Sequence, residues 1–102
     1  MKTLTDKDTN KLSVSELTVL KFSASWCGPC KQIAPHIEQL SVEYPYVNFY
    51  SVDADDNECA ELVNTYNVSA LPTFVYIRNG ELLDTVCGAN FEEVKTILNR
   101  HV

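Results

Sequence analysis

Two cysteines stand two residues apart in Ser25-Trp26-Cys27-Gly28-Pro29-Cys30-Lys31, where an apolar run gives way to a helical pattern. Thiols at that spacing can close into a small disulfide or open to a dithiol, a reversible two-electron switch. Pro29 suits the first turn of a helix, where its missing N–H and fixed φ cost nothing, so Cys27 falls at the helix N-terminus. Free backbone donors and the positive end of the helix dipole stabilise a thiolate there, and the thiolate is the attacking form. Cys30, one turn further in, is expected to be more buried and to act second. Trp26 can shield one side of the pair, and Lys31 adds a positive charge beside it.

Other uses of cysteine compete with this reading. A zinc ribbon needs a second ligand pair, but Cys59 and Cys87 stand alone, and neither His36 nor His101 completes a pattern. A purely structural disulfide would close a loop too short to restrain much of the unfolded chain. Four cysteines could also form a two-disulfide scaffold. Redox catalysis without a metal is the favoured use. There is no glycine-rich nucleotide fingerprint, so no bound cofactor is expected.

The elements that must hold the dithiol can be read from apolar periodicity. Leu17 to Ala24 is mostly apolar and bounded by the cysteine motif, which predicts a strand covered on both faces. Ile33, Ile37, Leu40 and Tyr44 then fall on one helical face, with Pro35 expected to kink that helix without ending it. Val47 to Asp53 predicts a second core strand. The acidic turn after it caps a helix that has Cys59, Leu62, Val63 and Tyr66 on its inner side. Thr73 to Arg78, the Asn79-Gly80 turn and Glu81 to Cys87 form a hairpin. Asn90, with Glu93 three residues on, caps a last helix that is acidic at its start and basic at its end. Lys2 to Leu12 is weakly patterned and predicts a short edge strand, then a short helix capped by Asp6 or Asp8.

The chain has 102 residues, of which 45% are hydrophobic, enough for one core and one domain over residues 1–102. A net charge of −6 without a Lys/Arg cluster excludes nucleic acid as the expected partner. No apolar run is long enough to span a membrane. Met1 to Lys7 lacks the apolar stretch of a signal peptide, so a reducing, cytoplasmic setting is expected.

Trp26-Cys27-Gly28-Pro29-Cys30-Lys31 resembles the active-site motif of the thioredoxin family, and Leu71-Pro72-Thr73-Phe74 and Asn79-Gly80 fall where that family carries them. The resemblance runs from about Leu17 to the end of the chain. It implies the thioredoxin fold, an α/β domain whose central mixed sheet of four to five strands is flanked by helices on both faces. It also implies a cis bond before Pro72, with the proline packed against the disulfide. The Leu71 backbone would then be free to pair with an extended substrate, in a surface shared with Trp26, Gly28, Pro29 and Gly88. Iron–sulfur binding through Cys27 occurs among relatives of the fold, but Pro29 between the cysteines speaks for redox use.

The chain departs from the family at Lys21. Six positions before the first cysteine, thioredoxins usually carry a buried aspartate that relays the proton of the second thiol. Asp53 stands where bacterial relatives often have lysine and eukaryotic ones an acid. Both strands are expected to be neighbours, so Lys21 and Asp53 are predicted to form an exchanged acid–base pair serving Cys30. The alternative is a lysine that snorkels outward while water moves the proton. Cys59 and Cys87 read as apolar fillers, with Cys87 alternatively an accessory thiol near the site.

The implied function is a protein-disulfide reductase in cell redox homeostasis. Cys27 would attack a target disulfide, Cys30 would resolve the mixed disulfide, and an NADPH-dependent thioredoxin reductase would restore the dithiol. A monomer acting on disulfide-containing proteins is expected. Two rivals are a disulfide-forming oxidase or isomerase, which a charged Lys21 would favour, and a non-catalytic module binding through Trp26, Leu71 and Gly88.

Overall fold

Alternation along one central strand sorts the core into two layers. The computed structural model describes residues 1–102. Its strands are β1 Lys2–Thr3, β2 Thr18–Ser23, β3 Asn48–Asp53, β4 Thr73–Arg78 and β5 Glu81–Cys87. The α-helices are α1 Gly28–Glu43, α2 Ala60–Thr65 and α3 Phe91–His101, with 3-10 turns at Asp6–Leu12 and Asn57–Cys59. The sheet order is β1-β3-β2-β4-β5. β3 runs parallel to β1 and β2, whereas β4 is antiparallel to both β2 and β5. The expected mixed sheet therefore has five strands.

In β2, Val19 packs with Ile33, Ile37 and Leu40 of α1 and with Val94 and Leu98 of α3. Leu20 and Phe22, which point the other way, pack with Leu12, Val52, Leu62 and Val75. Helical segments thus cover both faces, and each fully buried side chain of this kind contributes about 1.5–3 kcal/mol of transfer free energy. Helix α1 continues through Pro35. The hydrogen bond lost at the proline is offset by the apolar stripe on either side of it.

Asn79 and Gly80 both adopt positive φ, 54° and 76°, the conformation that a two-residue hairpin turn requires. Helix α3 is capped as expected, with Asn90 Oδ1 accepting from the Glu93 N–H at 3.1 Å. It is pinned to the hairpin by Tyr76, whose hydroxyl donates to the Val94 carbonyl at 2.8 Å, and by Arg78, which donates to the His101 carbonyl at 2.6 Å.

The N-terminal segment differs from expectation in its cap. Thr5 precedes the 3-10 turn, and its N–H donates to Asp8 Oδ2 at 3.0 Å. Asp6 instead reaches across the fold and accepts from the Glu61 and Leu62 N–H groups at 3.1 and 2.9 Å. It caps α2, because that helix start presents free donors and lies against the 3-10 turn. No helix is long and apolar enough to cross a membrane.

Candidate active site

The two cysteines sit where β2 ends and α1 begins. Cys27 is the N-cap of α1 and has extended backbone angles, while Pro29 occupies the second helical position. Cys27 Sγ accepts from the Cys30 N–H at 3.2 Å, one of the donors that a helix start leaves free. A disulfide joins the two residues, whose Cα atoms are 5.3 Å apart. The local sequence explains the placement: β2 stops at Ser23, the apolar run ends at Ala24, and the proline suits the first turn of the helix that follows.

The expected contrast in burial is not found. Cys27 is 4% exposed and Cys30 3%. Cys27 and Cys30 share a small apolar cluster with Ala24, against which Leu71 packs. The thiols differ instead in their place on the helix, since only the Cys27 sulfur receives a helix N–H. Around the buried sulfurs the surface is open: Trp26 is 68% exposed, and Gly28 and Pro29 are exposed.

A second arm comes from the β4–β5 edge. The Leu71-Pro72 bond is cis, as the resemblance implied. Leu71 touches the disulfide cluster, and its backbone makes no backbone hydrogen bond. The Gly88 N–H donates to the Pro72 carbonyl at 2.8 Å, so the end of β5 is tied beside the proline. Gly88 has φ 98° and nothing within 4 Å of where a Cβ would stand, leaving its surface open to an approaching chain. Cys87 is exposed opposite Thr73, whereas Cys59 is buried and burial pushes its thiol pKa up. No group of three His, Cys, Asp or Glu side chains is arranged to hold a metal ion.

Lys21 and Asp53 do not form the expected ion pair. Lys21 is buried on the α1 side of β2, with Ser51 and Phe74 as its register partners. Burial pushes its pKa down, and the acid that acts against this is Glu38 of α1. Asp53 lies opposite Ser23, further along the sheet, and its Oδ1 accepts from the Asp55 N–H at 3.0 Å. The turn's own donor is closer and already aligned, so the carboxylate is spent locally.

Sequence reading missed Asp55. Its carboxylate accepts from the indole N–H of Trp26, 29 positions away in the chain, and nothing in the acidic turn signals a partner so distant.

A helix-capped cysteine pair beside a free backbone segment can, once reduced, exchange its thiols with the disulfide of a docked chain. Comparisons with known proteins agree with that chemistry. The thioredoxin family model matches residues 1–100. The chain is 39% identical over 90 residues to thioredoxin 1 of Plasmodium falciparum, covering 88% of this chain and 85% of that one. It is 48% identical over 77 residues to rice thioredoxin H5, a match that takes in 76% of this chain but 56% of the rice protein. Among solved structures it is similar to Fasciola hepatica thioredoxin, with a TM-score of 0.92, 40% identity and full coverage of both chains. The chain belongs to the thioredoxin family and, with its Cys27–Cys30 pair, is a thiol–disulfide oxidoreductase.

Proposed function

We propose that residues 1–102 work as one thioredoxin unit that reduces disulfides in other proteins, with Cys27 as the nucleophile and Cys30 as the resolving thiol. The Cys27 thiolate attacks one sulfur of a target disulfide, and the other target sulfur leaves as a thiolate and takes a proton. Cys30 then loses its proton and attacks Cys27 Sγ, releasing the second target thiol. Two electrons pass to the target, and the enzyme is left with the Cys27–Cys30 disulfide. The observation that carries this assignment is the Cys30 N–H donated to Cys27 Sγ at the helix start, which favours a thiolate at that sulfur and at no other.

Trp26, Gly28, Pro29, Leu71, Pro72 and Gly88 form the substrate surface in this reading. The unpaired Leu71 backbone supports it, because an extended target segment can add to it as a strand. Of the two relay groups read from the sequence, Lys21 is the one we assign to the proton of Cys30, because it is buried on the side of β2 covered by α1, the helix that carries Cys30. Asp53, whose Oδ1 is taken by the Asp55 N–H, is assigned no share in that step.

The electrons come from NADPH through a thioredoxin reductase, and the protein works as a monomer in the reducing cytoplasm, where electron transport to protein disulfides sustains redox homeostasis. Insulin reduction coupled to NADPH and a thioredoxin reductase tests the proposal. Turnover by the unaltered chain and none by Cys27→Ser is expected; equal turnover by both would remove Cys27 from the mechanism.

A further inference from the structure

The turn between β4 and β5 is built on Asn79-Gly80, and Asn79 is the one asparagine in the chain that is followed by glycine. Both residues are exposed. In such a pair the glycine backbone nitrogen, unshielded by a Cβ, can attack Cγ of the asparagine side chain. An N–Cγ bond forms, the Cγ–Nδ2 bond breaks, and ammonia leaves with the proton of the attacking nitrogen. Water then opens the cyclic imide at either carbonyl, giving aspartate or isoaspartate without any change of oxidation state.

In the fold that nitrogen is engaged elsewhere. The Gly80 N–H donates to the Leu12 carbonyl at 2.9 Å, and the Asn79 N–H donates to the Val14 carbonyl at 2.9 Å. An amide nitrogen must give up its proton to attack, and here the proton is held in a hydrogen bond. The acceptor segment is itself anchored, because Leu12 is 4% exposed and shares a core cluster with Ile77 of β4. Ser13 between the two acceptors lies so close over the turn that its Oγ would stand 3.4 Å from a Cβ built on Gly80. Imide formation therefore requires the turn and residues 12–14 to part, a local opening that is far short of global unfolding.

We propose that Asn79 is a deamidation site of this protein, at which imide formation waits on detachment of the turn from Leu12 and Val14. The inference is independent of the reductase reading. An isoaspartate carries the backbone through its own side-chain carbon, so it lengthens by one atom a two-residue turn whose geometry fixes the pairing of β4 with β5. Beyond the far end of β5, the Gly88 N–H is tied to the Pro72 carbonyl. The modification thus falls on chains in which residues 12–14 have come loose, and it alters the hairpin that ends beside the dithiol.

The test follows aspartate and isoaspartate at position 79 by peptide mapping during incubation in mildly alkaline buffer, beside the amide exchange rate of Gly80. The folded chain should accumulate product at least about tenfold more slowly than the urea-unfolded chain, since two hydrogen bonds must open first. Leu12→Ala, which loosens the acceptor segment, should speed deamidation by the same factor as it speeds exchange at Gly80. Urea below the unfolding transition should do the same to the unaltered chain, an arm that stands if Leu12→Ala does not fold. Equal rates in the folded and unfolded chains would overturn the gating, as would faster exchange at Gly80 with deamidation unchanged. No product at position 79 even in the unfolded chain would overturn the site itself.

Discussion

The indole N–H of Trp26 donates to a carboxylate oxygen of Asp55, so the exposed indole of the active-site motif is anchored to the turn after β3. An aromatic ring that is 68% exposed yet fixed in direction loses little entropy when a partner covers it. Trp26→Ala should therefore lower kcat/KM for a protein disulfide about tenfold, mainly through KM. Thermal stability should move by less than about 0.5 kcal/mol, because the ring is outside the core. Steady-state kinetics beside a denaturant titration checks both halves. A loss of stability without a change in KM would assign the ring a structural role.

Lys21 and Asp53 should behave independently. A double-mutant cycle with Lys21→Ala and Asp53→Ala, read on the rate of mixed-disulfide resolution, should be additive to within about 0.5 kcal/mol, because the two side chains share no contact. A larger coupling would mean that the pair forms during the reaction although the folded chain does not display it.

Burial of Lys21 also makes stability depend on pH in a defined direction. Its folded-state pKa lies below the ordinary lysine value, so between the two values the unfolded chain binds more protons than the folded one. Stability from this group consequently rises with pH across that interval, and the cost of burying the charge is fully present below it. Lys21→Met should be more stable than the unaltered chain by about 1–2 kcal/mol at neutral pH. The advantage should shrink as pH climbs towards the ordinary lysine value. Tyr66 and Tyr76 have raised pKa values from burial and act in the opposite sense in alkali, but they contribute equally to both proteins and cancel in the difference. Urea titrations at a series of alkaline pH values measure it.

The C-terminal helix carries an acid-sensitive tie. His101 Nε2 lies 3.1 Å from Asp84 Oδ2, and Arg100 approaches the same oxygen at 3.4 Å. The hydrogen bond from His101 holds the Asp84 carboxyl below its usual range. Its contribution is present above the ordinary carboxylate pKa and is lost as pH falls through the lowered folded value. His101→Ala should move the acid unfolding midpoint of α3, followed by amide exchange at Val94 and Leu98, to higher pH. An unchanged midpoint would show that the tie contributes nothing.

Much of this arrangement was legible in the chain, and the reasons are local. Asn79-Gly80 predicts the hairpin because both residues tolerate positive φ, and Pro29 predicts the helix start because a first turn does not need its N–H. Contacts that depend on distant partners were not legible. Asp6 looks like the cap of its own turn, yet its carboxylate serves Glu61 and Leu62. Lys21 and Asp53 form no ion pair, because register sets Asp53 opposite Ser23 and its Oδ1 accepts from the Asp55 N–H; the acid that acts on buried Lys21 is Glu38 of α1. Cys27 and Cys30 are nearly equally buried in a cluster with Ala24 and Leu71, and Leu71 lies 41 or more positions away in the chain, which spacing within the motif does not reveal.

The division of labour between the two sulfurs can be read in a single trapping measurement. Cys30→Ser, reduced and mixed with a disulfide-containing protein target, should accumulate a covalent complex whose peptide map joins Cys27 to a target cysteine, while Cys27→Ser accumulates none. A complex that forms through Cys30 or Cys87, or one that forms equally well without Cys27, would show that the helix-capping sulfur is not the one that attacks.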